Sequence, residues 1–94
     1  MMNAMPLHEL HPFCDAEVAK APVERGVYVL YQIQIPLHAA GAENLREALL
    51  LARATFPGAS HFAVETHATS AEVEVRVRDL RGQFRRVRSS AFVG

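Results

Sequence analysis

Glu72-Val-Glu-Val-Arg-Val-Arg-Asp-Leu-Arg-Gly-Gln-Phe-Arg-Arg-Val-Arg88 decides the fold, because two secondary structures compete for it. Read as two strands, Val73, Val75 and Val77 alternate with Glu72, Glu74, Arg76 and Arg78 at a period of two. Asp79-Leu-Arg-Gly82 fits a type I turn, with Asp first and Gly free to take the left-handed position. Closing that turn sets Val75 opposite Val87 and Glu74 opposite Arg88, and Arg76, Arg78, Arg86 and Arg88 then surround Phe84 on the outer face.

Read as a helix, the same residues start from a capping box at Thr69-Ser-Ala-Glu72. Val73, Val77, Leu80, Phe84 and Val87 then recur at intervals of 4, 3, 4 and 3. Glu72 with Arg76 and Glu74 with Arg78 form oriented i,i+4 pairs. Against the helix stand Gly82, which costs about 1 kcal/mol in a helix interior, and three valines near the start. The helix buries Leu80 and Phe84; the hairpin accounts for Asp79 and Gly82. The sequence reading takes the hairpin.

Working outward, Val27, Val29, Tyr31, Ile33 and Ile35 alternate with Tyr28, Leu30, Gln32 and Gln34. This predicts a strand from Gly26 to Pro36 with the first set on the core face and its other face covered at the Tyr28–Leu30 end. Ala39-Ala-Gly-Ala-Glu43 reads as a loop. Asn44 is an N-cap with Glu47 three residues on, and the helix it opens stops at Pro57-Gly58. Leu45, Leu49, Ala52 and Phe56 form its apolar stripe, flanked by Ala48. Leu50 lies roughly 140–160° away from that stripe, which exposes it in a monomer with one core. His61–His67 is a second strand, with Phe62, Val64 and Thr66 inward. Residues 1–25 read as an N-terminal arm with a short helix over Asp15–Ala21, ahead of an α+β domain over 26–94.

The expected fold is therefore a single small α+β domain of β-α-β-β-β order. One main helix, about 44–56, packs on a largely antiparallel sheet whose last three strands are neighbours. Ninety-four residues suit one domain with one modest core. Half the residues are hydrophobic, which argues against disorder. No apolar run approaches the roughly 18 residues of a membrane span, and the start has no basic region leading into an apolar one. The single cysteine, Cys14, cannot form an internal disulfide, so a cytoplasmic setting is expected.

The net charge is zero but unevenly spread. Six of the nine arginines (Arg76, Arg78, Arg81, Arg85, Arg86, Arg88) lie between 76 and 88 against Asp79 alone. A zero total argues against a general polyanion grip, while one basic face remains able to bind an acidic partner. Nine arginines to one lysine suit a GC-rich bacterial or phage genome.

His8-x-x-His11-x-x-Cys14 is the candidate metal site, with His38, His61 or His67 as a fourth ligand. Its spacing matches no zinc signature and Pro12 interrupts it, so no metal or other cofactor is expected. His61, Glu65 and His67 share one strand face, where a carboxylate between histidines suits acid–base work; a solvated face is the plainer reading. No serine lies in a nucleophile elbow and no Gly-rich phosphate loop is present, so no catalytic residue is assigned.

Gly26-Val-Tyr28 within a strand resembles the opening motif of GIY-YIG nucleases. That resemblance implies a second Tyr-Ile-Gly strand and a helical arginine. Leu37-His-Ala-Ala-Gly41 stands in place of the first, and Ala48 falls near the second, because Arg46 comes too early. The resemblance covers three residues and implies at most a degenerate, inactive relative.

The expectation for function is a small non-enzymatic binding module working through protein–protein contact, either with itself or as an inhibitor or adaptor of the phage or mobile-element type. Its candidate partner-binding residues are Arg76, Arg78, Phe84, Arg86, Arg88 and Leu50. The alternative is nucleic-acid binding through the arginines of 76–88, with Phe84 as a stacking surface.

Overall fold

A computed structural model describes residues 9–93, with side chains described through Arg85. The elements in order are β1 (His11–Pro12), α1 (Asp15–Val18), β2 (Gly26–Gln32), β3 (Ile35–Ala42), α2 (Leu45–Thr55), β4 (His61–Thr66) and α3 (Ser70–Val93). One antiparallel sheet runs in the order β1-β4-β2-β3. The α+β class, the main helix and the strands opening at Gly26 and His61 are as the sequence predicts.

The 70–88 stretch is a helix, and the predicted hairpin is absent. Its N-cap forms: the Glu72 N–H donates to Thr69 Oγ1 at 3.2 Å, and Glu72 Oε1 accepts from the N–H of Ala68, one residue before the cap, at 3.1 Å. The decisive term is packing on β2. Residues Gly26–Leu30 are buried on both faces, so the sheet needs cover on both sides. Tyr28 and Leu30 pack with Leu45, Leu49, Ala52, Phe62 and Val64 under α2. Val27 and Val29, with Ala39 and Ala63, face the other way and pack against Leu80, with Val73, Val77 and Phe84 beside it. A buried Leu or Phe gains about 1.5–3 kcal/mol, which outweighs about 1 kcal/mol for Gly82 and a few tenths per valine. The two-sided sheet also corrects the single-helix architecture.

The first strand breaks earlier than predicted. Gln32 pairs with Ile35 across a two-residue turn, and the chain returns as β3 through the segment read as a loop. Ile33 takes φ 59°, and its N–H donates to Ser60 Oγ at 2.6 Å. Ile33 and Ile35 are therefore exposed, not core. With β3 placed here, one strand follows α2 instead of three. The Asn44 cap forms as predicted, accepting from the Glu47 N–H at 3.1 Å. Residues 9–25 join the domain: β1 pairs with β4, Val18 and Ala21 are buried, and Arg53 pairs with Asp15 to tie α2 to α1.

Candidate functional site

Helix α3 distributes its arginines among different tasks. The half-buried Arg76 donates through Nε to Glu65 Oε1 at 2.9 Å and lies 3.4 Å from Asp79 Oδ2, which ties α3 to β4. The Glu72–Arg76 pair of the helical reading gives way to these because β4 brings Glu65 under the helix, and the Glu74–Arg78 pair does not form. Arg81 donates through Nε to the Ala39 carbonyl at 3.1 Å. Arg78 and Arg85 are exposed, and among the described residues neither has a recorded ion pair or hydrogen bond. Phe84 is half-buried, packed against the Val27–Val29 core. Arg86 and Arg88 lie on the helix, but their side chains fall outside the described residues.

Arg78, Arg81 and Arg85 recur at intervals of three and four, so they form one helical stripe. That stripe borders an open groove of about 930 Å³ between α3 and β3, shared with Gly41, Glu43 and Glu74. β3 is an edge strand, exposed at Gly41 beside the groove and bonded to Arg81 at the Ala39 carbonyl. Gly41 permits the close approach of α3, since a Cβ there would collide with Val73 Cγ1. Sequence reasoning omitted Arg81 and β3 because it placed one in a turn and read part of the other as a loop. The three–four arginine spacing was visible only under the helical reading.

Leu50 is 51% exposed on α2, beside the exposed Leu51. α2 and α3 cover opposite faces of the sheet, so Leu50 and the arginine stripe belong to separate surfaces.

The His61, Glu65 and His67 set is only partly assembled. His67 Nε2 lies 2.7 Å from Glu65 Oε1, the oxygen that also takes Arg76, and His67 Nδ1 is 3.8 Å from Glu72. His61 sits four residues up β4, about 13 Å away along the strand, with Nδ1 2.8 Å from Ser60 Oγ. The histidines therefore do not flank one carboxylate, and Glu65 serves the α3–β4 tie.

His38 stacks on Phe56 with ring centroids 4.6 Å apart, and Tyr28 lies 6.0 Å away. Burial, helped by the Arg81 charge, holds the His38 imidazole below its ordinary pKa. Burial raises the Tyr28 phenol, with Arg81 opposing.

Of the metal candidates, His8 lies outside the described residues. His11 tilts against Phe62 at 5.4 Å, with Nδ1 3.8 Å from Glu17 and a buried Nε2 without a hydrogen bond among the described residues. Cys14 is exposed at the start of α1. No group of three metal-ligating side chains gathers among the described residues. No described helix is long and apolar enough to cross a membrane.

Gly26–Tyr28 opens β2 and Leu37–Gly41 lies on β3 beside it, but Ala39, Ala40 and Ala48 stand where the GIY-YIG resemblance requires Tyr, Ile and Arg. In comparisons with known proteins, no family model, no curated protein and no solved structure matches this chain.

Proposed function

We propose that this chain is a small non-enzymatic binding module working through protein–protein contact. Its contact surface is the arginine stripe of α3 together with the edge of β3. The observation that carries this reading is the pair Arg78 and Arg85, exposed and without an ion pair among the described residues, in a groove beside the edge strand β3. Arginine suits such a surface because its planar fork pairs with carboxylates in two parallel hydrogen bonds. Arg86 and Arg88 extend the same basic segment in sequence.

Size-exclusion with light scattering on native extract, followed by identification of what co-purifies, tests the reading. The expected result is a complex that Arg78→Glu with Arg85→Glu dissolves and Leu50→Asp leaves intact. A monomer with no co-purifying protein, unchanged by the reversals, removes its support.

The three-arginine stripe also favours a second reading, phosphate contact with a nucleic acid. About three contacted phosphates give a log–log salt slope of roughly −2 to −3. No binding of RNA or DNA at low salt ends that reading.

A further inference from the structure

The exposed edge of β3 narrows the partner's chemistry, in an inference that rests on the protein-contact reading above. We infer that an extended, acidic polypeptide segment adds to the sheet as a fifth strand, antiparallel to β3, with its carboxylates beneath Arg78, Arg81 and Arg85.

Residues two apart on an antiparallel strand point their backbone groups the same way. Ala39 and Gly41 are two apart and pair in unbroken register with Val29 and Val27. The Ala39 carbonyl accepts from the Arg81 side chain, so it points outward from the sheet. The N–H and C=O of Gly41 follow it. Such a row is a template for strand addition unless something blocks it. Here the row is Ala39-Ala-Gly-Ala42, which is exposed at Gly41, while at Ala39 it is buried and covered by the Arg81 side chain, which must swing aside for a strand to add.

The groove holds Arg78, Arg81 and Arg85 against Glu43 and Glu74, a balance that favours an acidic occupant. Arg78 to Arg85 spans about 10 Å of helix axis, close to the roughly 7–13 Å covered by two or three alternate residues of a strand. Residues directly opposite Ala39 and Gly41 share their face, the one under α3. An arriving strand therefore presents every second side chain to the arginine stripe, and those are the residues whose N–H and C=O point at β3. Arg81 exchanges its neutral carbonyl for a carboxylate, a stronger charge-assisted bond, while the arriving N–H takes over the Ala39 oxygen. A second copy of this chain paired edge to edge would instead set two arginine stripes side by side, and like charges across strands repel. A nucleic acid has no peptide groups to satisfy the edge.

The test uses a labelled, end-capped peptide of roughly ten residues alternating Thr and Glu, titrated into the full chain by fluorescence anisotropy. Binding is expected, weakening as salt rises and lost in a Thr-Lys counterpart. Methylating the Glu backbone nitrogens abolishes it, because those N–H groups face β3, whereas methylating the Thr nitrogens leaves it. Arg78→Glu with Arg85→Glu weakens it at least about tenfold with unchanged circular dichroism. If the two methylated peptides bind alike while the arginine reversals still abolish binding, strand addition is overturned and the α3 contact surface stands. If the reversals are silent as well, both readings fall. No binding of the unmethylated peptide at millimolar concentration overturns the inference, as does its displacement by single-stranded DNA at lower concentration.

Discussion

Replacing Leu80 by Ala tests the reading of 70–88 as a packed helix. Leu80 is 5% exposed and sits in the cluster of Val27, Val29, Ala39 and Ala63. Its loss removes the transfer energy of a buried side chain and leaves a space that half-buried neighbours such as Val77 and Phe84 can partly refill. The expected cost is about 2–4 kcal/mol. That is a large share of the roughly 5–14 kcal/mol a domain of this length holds. Val75→Ala is the matched control. Val75 is 60% exposed on the same helix, and Ala is the better helix former by several tenths of a kcal/mol, so the change stays within about 0.5 kcal/mol of neutral. A hairpin reverses the order, since Val75 then faces Val87 inside and Leu80 occupies an exposed turn. Urea unfolding followed by circular dichroism separates the two. With an m-value of about 2 kcal/mol/M, the Leu80→Ala midpoint drops by roughly 1–2 M while that of Val75→Ala barely moves. A larger loss for Val75→Ala than for Leu80→Ala would refute the helical packing.

Other substitutions probe the same architecture. Ile33 is 69% exposed and holds φ 59°, a region that costs a β-branched residue about 1–2 kcal/mol. Ile33→Gly should therefore stabilise the fold by up to about 1 kcal/mol after the entropic cost of glycine, seen as a raised unfolding midpoint. Gly41→Ala brings its Cβ into Val73, so it should lift α3 from β3 at a cost of about 1–3 kcal/mol, and Gly41→Ala combined with Val73→Ala should recover part of it. His38 carries a folded pKa below its ordinary value of 6.5, so the unfolded chain takes up the proton first as pH falls. Its stabilising contribution is whole above about pH 6.5 and declines as pH falls through that value towards the folded pKa. His38→Phe keeps the ring between Tyr28 and Phe56 and should flatten this part of the stability–pH curve.

Local chemistry was legible in the sequence wherever one short segment carried its own signal. Asn44 and Glu47 marked the start of α2, the Leu45–Leu49–Ala52 stripe marked its buried face, and alternation marked the strands from Gly26 and His61. The candidate surface was half legible: the arginines were visible, but not which were engaged. Glu65 claims Arg76 and the Ala39 carbonyl claims Arg81, and these partners lie 11 and 42 residues away. The turn at Ile33 was hidden because Ile contradicts the backbone it adopts.

What the sequence by itself determined was the class, α+β, and the two faces of β2, both apolar from Val27 to Leu30. What only the tertiary structure decided was how the second face is covered. Val73, Val75 and Val77 satisfy a strand period while Val73, Val77, Leu80 and Phe84 satisfy a helix period, so local propensity leaves 70–88 balanced. The balance tips because Val27, Val29, Ala39 and Ala63 would otherwise face water, and a helix docked on them removes more apolar surface than Gly82 and the valines cost. That choice turns Phe84 inward and gathers Arg78, Arg81 and Arg85 beside the edge of β3.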